Sequence, residues 1–335
     1  MTSRTEGGIG FALGGLGGLN AHGVGFLEAA RALNVEPSIV SCTGGMITWV
    51  ADWLEGKPLL PALEEHLRLG TRFAPQFHWM NTLWIAAFGD PASFRPAVWE
   101  YWRRWMKPMD WPDVNSLLDR LWPAQVLVPR RGTDELAHTA AVMNGSAIPV
   151  VFNSFQPASG REYLHLNRAA AEFLGVRTGE IGGASKYLPI DERAVRGALW
   201  LYFYGLDDEA NPDGLVDGTY RRQYIVSELH PCDRIYVARP HNNRWSERLP
   251  QNYFEIQDYS TDLWFTGAYQ AELAGIRQIN RLLKDGKLKN GDFHPVDLIE
   301  VEVARQYGFF DYGQEEREVF ETAFRTAYRK LTATA

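Results

Sequence analysis

An apolar run over residues 7–13, Gly-Gly-Ile-Gly-Phe-Ala-Leu, ends in the glycine-dense stretch 14–18. That pattern predicts a buried strand opening into a loop. Residues 24–33 continue with a helical pattern, and Asn34 stops it, as Asn or Gly commonly does at a helix end. A second short strand over 37–40 runs into Ser41-Cys42-Thr43-Gly44-Gly45 and then an apolar helix over 46–54, closed by Gly56. Strand, glycine loop, helix, strand, sharp turn, helix is the opening of a parallel α/β domain.

Beyond that opening the pattern turns helical, aromatic and proline-broken from about 58 to 130. Strand patterns return at 148–153, 163–166 and 232–240, with a helix over 193–201 between them. Long helical patterns cover 263–284 and 315–331. The expected organisation is one α/β domain over 1–255 with a mainly parallel sheet and a helical insertion at about 58–130. A helical C-terminal extension, 256–335, packs on it.

Composition narrows the function classes. The apolar and charged fractions, 45% and 22%, are those of an ordinary globular chain. With 34 Lys and Arg against 41 Asp and Glu the net charge is −7, and no basic block stands out, which argues against nucleic acid as a partner. Two cysteines, Cys42 and Cys232, make no disulfide framework. The N-terminal residues carry no export signature and no apolar run is long enough to span a bilayer, so a cytoplasmic location is expected. No His/Cys/Asp/Glu cluster has metal-ligand spacing, and no cofactor is expected.

One feature is unusual: seven of the 12 tryptophans fall between Trp79 and Trp122, with Trp99, Trp102 and Trp105 three residues apart. Two readings stand: a Trp-rich layer packed on a core, or a cap over an apolar substrate and a surface that touches lipid.

Three turns could carry chemistry. The first, Gly15-Leu16-Gly17-Gly18-Leu19-Asn20, falls short of a dinucleotide fingerprint: Asn20 replaces the third glycine, and Glu36 precedes the second strand instead of ending it. His22 beside it is a packed or surface histidine more readily than an acid or base. The second turn has the steric form of a nucleophile elbow, small-x-nucleophile-x-small. Centring on Thr43 gives Ser41 and Gly45 as flanks; centring on Cys42 places Val40 in the tight corner. Sterics favour Thr43. The third, Asp217-Gly218, follows the apolar pair Leu215-Val216.

These three motifs, in this order, resemble those of the patatin-like phospholipases, acyl hydrolases with a Ser-Asp dyad. The family's oxyanion loop G-G-G-x-[RK]-G, its G-V-L helix core, its elbow G-T-S-x-G and its D-G-[GA] turn are matched in outline. The counterparts here are residues 15–20, Gly25-Phe26-Leu27, residues 41–45 and Asp217-Gly218-Thr219. The family's basic loop residue is Leu19 here, its closing glycine is Asn20, and its serine is Thr43, or Cys42 if the frame slips by one. The resemblance implies a three-layer α/β fold. It implies an acyl-ester hydrolase acting on a lipid, lysophospholipid or thioester, with Thr43 as nucleophile, Asp217 as base, and Gly15, Leu16, Gly17 and Gly18 as the oxyanion hole. It further implies an acyl-chain or lipid substrate and peripheral membrane contact. The alternatives are a catalytically altered patatin-fold protein that binds an acyl ligand or a partner, an acyltransferase, and a nucleotide-binding protein using the first loop.

Overall fold

The computed structural model describes residues 8–15, 20–70, 73, 80, 84–85, 87–90, 93–106, 114–121, 124–182, 185–206, 209–240, 249–288, 293–302 and 316–333. Its centre is a nine-stranded, mainly parallel sheet. Strands β1 (Ile9–Leu13), β2 (Ile39–Cys42) and β5 (Val150–Gln156) lie side by side, with β10 (Arg234–Arg239) and β11 (Asp297–Glu302) on the other side of β1, all parallel. Beyond β5 come β6 (Arg161–Leu166), β8 (Ser185–Pro189) and β7 (Ile181–Gly182); β6 is antiparallel to β5, β8 is parallel to β6, and β7 is antiparallel to β8.

Both faces of this sheet are covered, so its inner strands are apolar at successive positions rather than alternate ones. In β10, Tyr236 and Ala238 enter one apolar layer while Ile235 and Val237 enter the other. The first layer holds α1 (Asn20–Ala32), α2 (Met46–Leu54), α3 (Leu59–Gly70), α6 (Thr133–Gly145), α8 (Glu192–Ala198) and α10 (Glu316–Thr332). The second layer holds α7 (Arg168–Leu174) and α9 (Tyr253–Lys284). A three-layer α/β architecture results.

Two boundaries differ from expectation. The 58–130 segment is not an appended helical insertion throughout. Leu59 and Leu63 of α3 are buried in the main core, and β3 (Phe94–Pro96) pairs antiparallel with β4 (Leu127–Pro129) around α4 (Val98–Met106) and α5 (Val114–Leu121). Nor is 256–335 wholly helical: its β11 extends the sheet, and α10 packs on α1. The α1–α10 contact is close because Gly25 has no side chain; a Cβ there would sit 2.5 Å from the Phe320 carbonyl. Among the described residues no helix is long and apolar enough to cross a membrane.

Candidate functional site

The described parts of the three motifs meet at the carboxyl end of the central strands. β1 is flanked by β2 on one side and β10 on the other, so the chain order reverses around it; the carboxyl end of such a switch point is where open α/β sheets bind ligands. Leu13 and Cys42 are register partners, and the Thr43 amide donates to the Leu13 carbonyl at 3.1 Å, which sets the glycine loop against the elbow. A Cβ on Gly15 would strike the Thr43 carbonyl, and one on Gly45 would strike the Asn20 side chain. Small residues are required here because backbones touch. Leu16, Gly17 and Gly18, the rest of the expected oxyanion hole, lie outside the described residues.

Strand alternation decides what each elbow side chain can do. Val40 and Cys42 point into the apolar layer beneath α1 and α2. Burial pushes the Cys42 thiol well above its ordinary value, so it is no thiolate nucleophile. Ser41 and Thr43 point the other way: the Ser41 hydroxyl donates to Ile225 O at 2.6 Å and the Thr43 hydroxyl to Gln223 O at 2.7 Å. Thr43 Oγ1 also accepts from the Gly15 amide at 3.1 Å. A hydroxyl has one proton, and that of Thr43 goes to a backbone carbonyl, not to Asp217.

Asp217 arrives by a route invisible in its local sequence. β2 pairs with only the first half of β5, Val150 to Phe152. The two-residue strand β9 (Val216–Asp217) takes β2's place along the second half, with Asp217 opposite Ser154. The acid is thereby delivered just past the end of β2, where the elbow lies. A Cβ built on Gly44 would sit 2.7 Å from Asp217 Oδ2 and 2.8 Å from Thr219 Oγ1. Gly44 has φ +49°, the left-handed conformation that costs a non-glycine residue about 1–2 kcal/mol. Helix α2 starts directly after it, with Ile47 N donating to Gly44 O at 3.0 Å. The elbow residue that faces the acid is therefore Gly44, not Thr43 or Cys42.

Asp217 is almost fully buried, and this raises its pKa from 3.8 to about 6, against the opposing pull of hydrogen bonds from Thr219. Its Oδ1 accepts from the Thr219 amide at 2.8 Å, while its own amide donates to Trp200 O at 2.9 Å. The stacked rings of Tyr202 and Tyr220, 4.1 Å apart, stand near the carboxylate. Gly218 is obligatory because a Cβ there would run into the Asn153 amide, whose nitrogen donates to Gly218 O, Arg222 O and Glu162.

Sequence reasoning missed a supporting layer. Arg222 joins Glu162, Glu228 and Glu272 at 3.1, 3.0 and 3.4 Å, and Glu272 also accepts from the Val226 and Ser227 amides. This network fixes the 222–227 segment that supplies the carbonyls bound by Ser41 and Thr43. Its members come from three separate stretches of chain, so no motif could reveal it. Gln223 Nε2 and Tyr224 Oη are buried without a hydrogen-bond partner, and Tyr224 Oη lies 3.0 Å from the Cβ position of Gly14. His22 is buried and neutral, its pKa lowered to about 4 by burial, with Nε2 against Val301 O at 2.7 Å.

Among the described residues no group of three His, Cys, Asp or Glu side chains is placed to hold a metal ion. No protein-family model matches the chain, and no curated protein matches it.

Proposed function

We propose that this protein holds an acyl ester or thioester at a patatin-like elbow that carries no side-chain nucleophile, so that it binds an acyl ligand without forming an acyl-enzyme. The observation that carries this reading is Gly44: the left-handed residue of the strand-to-helix turn, aimed at a buried carboxylate, has only hydrogen where a nucleophile needs an oxygen. The remaining parts suit an acyl head. Asp217 is ionised above about pH 6 and can accept a hydrogen bond from a ligand hydroxyl. The unmatched donors on Gln223 and on Tyr224, the latter beside Gly14, favour a polar ligand atom, since buried donors seldom go unpaired.

A second reading has one observation in its favour. The Gly15 amide on Thr43 Oγ1 would stabilise a developing alkoxide, so an acyl hydrolase with a Thr43–Asp217 dyad follows if Thr43 rotates away from Gln223 O. A nitrophenyl ester series of increasing chain length, assayed for both binding and nitrophenolate release, separates the two. The acyl-binding reading expects affinity that rises with chain length, no release above background, and no change in Thr43→Ala. The dyad reading expects release that Thr43→Ala abolishes, Cys42→Ala spares, and Thr43→Ser matches or exceeds.

A further inference from the structure

The three carboxylates around Arg222 are not used alike. Glu162 is satisfied on both oxygens: Oε1 accepts from Asn153 Nδ2 at 2.8 Å and Arg222 Nε at 3.1 Å, and Oε2 from Ser185 Oγ at 2.8 Å. Glu272 is lopsided. Its Oε1 accepts from the Val226 and Ser227 amides at 2.8 and 2.7 Å, the Ser227 hydroxyl at 2.8 Å and Arg222 Nη1 at 3.4 Å. Its Oε2 is buried and has no partner. Glu228 repeats the pattern, with Oε1 on Arg222 Nη2 at 3.0 Å and a buried Oε2 without a partner. We propose that Glu272 Oε2 carries a proton and donates it to Glu228 Oε2, so that this proton locks the 222–228 segment onto α9.

Charge and burial select a proton. Fully ionised, the cluster would hold three negative charges against the single positive charge of Arg222. The side chains of Glu272 and Glu228 are only 7% and 13% exposed, so water screens neither. Both bind the same Nη1–Nη2 edge of Arg222, which brings the two carboxyls alongside. Two orphan oxyanions there would repel, whereas one proton makes one oxygen a donor and leaves the other its acceptor. Burial raises the Glu272 pKa above the ordinary glutamate value; Arg222 and the Ser227 amide oppose the rise, and Glu228 adds to it. The other ionisable groups on this cluster are Glu162 on β6 and Tyr187 on β8, the latter close to Glu228, Arg222 and Glu180. None of these brings a second positive charge.

The locked segment is the one that faces the elbow. It supplies the Gln223 and Ile225 carbonyls that hold Thr43 and Ser41, and it carries the unmatched Gln223 and Tyr224 donors. Loss of the proton leaves two facing oxyanions in a buried place and pushes the segment away from α9. Because the folded pKa of Glu272 lies above its ordinary value, its contribution to stability is fully present below the ordinary value. That contribution is lost as pH rises through the folded one. The lock concerns the scaffold behind the site and does not depend on the acyl-ligand reading.

The test is infrared spectroscopy of the full chain over a pH titration, read as the difference between wild type and Glu272→Gln, in which other buried acids cancel. A protonated-carboxyl C=O band is expected that persists above the pH at which ordinary glutamates ionise and belongs to Glu272. Protection of the Val226 and Ser227 amides from hydrogen exchange should fall as that band titrates away. Glu272→Gln keeps a carbonyl for these amides and an N–H for Glu228, so its unfolding constant in urea at neutral pH should stay within about threefold of wild type. Glu272→Ala keeps neither and should raise that constant by about thirtyfold or more. Glu228→Gln places an amide N–H opposite Glu272 Oε2, makes the proton unnecessary, and should abolish the band. Three results overturn the proposal: no such band, a band unchanged in Glu228→Gln, or Glu272→Gln as damaging as Glu272→Ala, which is what a fully ionised pair with Arg222 requires.

Discussion

The elbow and α4 are both dense in small or aromatic residues, yet they are built on opposite terms. At the elbow the backbone is closely packed: Gly15 lies on the Thr43 carbonyl, Gly45 on Asn20, Gly218 on Asn153, and Thr43 and Ser41 each bind a named carbonyl. On α4 three indoles stand exposed. Glycine-rich sequence here marks where backbones collide, and so reports on the fold. The tryptophans of α4 mark apolar area that the fold leaves exposed.

Breaking the elbow should therefore be far more damaging than stripping α4. Gly218→Ala drives a methyl into the Asn153 amide and disturbs three of its hydrogen bonds. A loss of about 3 kcal/mol is expected in urea unfolding. Stability unchanged within error would mean the Asp217 turn is not held as described.

Asp217 sharpens the comparison with an effect of similar size and opposite sign. Its folded pKa, about 6, lies above its ordinary 3.8, so ionisation favours the unfolded chain. Its contribution to stability is fully present below about pH 4 and is lost as pH rises to about 6. Asp217→Asn removes this penalty. The variant should be more stable than wild type at pH 7.5, by up to about 3 kcal/mol, and should lose the decline between pH 4 and 6. A destabilised Asn variant at neutral pH would indicate that the carboxylate is stabilised in its charged form.

Chemical reactivity gives a smaller, all-or-none check. Cys42 is buried in the apolar layer with its thiol pKa raised, so iodoacetamide should leave it unmodified in the native protein and alkylate it after unfolding. Rapid native labelling of Cys42 would reopen it as the nucleophile. Smallest of all, Trp99→Ala and Trp102→Ala should each move stability by no more than about 0.5 kcal/mol, because exposed side chains remove little burial when truncated. A loss of several kcal/mol would return α4 to the role of core scaffold.

Much of this was legible in the chain itself. The strands at β1, β2, β5, β6 and β10 and the apolar α2 follow from short apolar runs bounded by glycine, proline or polar residues, and the Trp spacing foretold α4. The C-terminal strand β11 did not, because Asp-Leu-Ile-Glu-Val-Glu reads as a polar edge until β10 is beside it. The elbow frame is where local sequence was least informative. Flank size favoured Thr43, but flank size weighs only the neighbours of the centre. One further signal points to Gly44: a left-handed turn suits glycine best. The meeting of Asp217 with the elbow depends on β9 replacing β2 along β5, a long-range pairing that no local pattern encodes.

The most direct test of the central claim is the intact mass of the protein after incubation with an alkyl fluorophosphonate, for wild type, Thr43→Ala, Gly44→Ser and Gly44→Ser/Asp217→Asn. In this reaction a hydroxyl oxygen bonds to phosphorus, fluoride leaves, and the hydroxyl proton passes to the neighbouring base. Serine at position 44 must displace the Asp217 carboxylate slightly, since its Cβ would otherwise lie 2.7 Å from Oδ2. The account predicts no adduct on wild type or Thr43→Ala, an adduct on Ser at position 44 in Gly44→Ser, and its loss or marked slowing in the double variant. An adduct on wild type that maps to Thr43 and disappears in Thr43→Ala would contradict it.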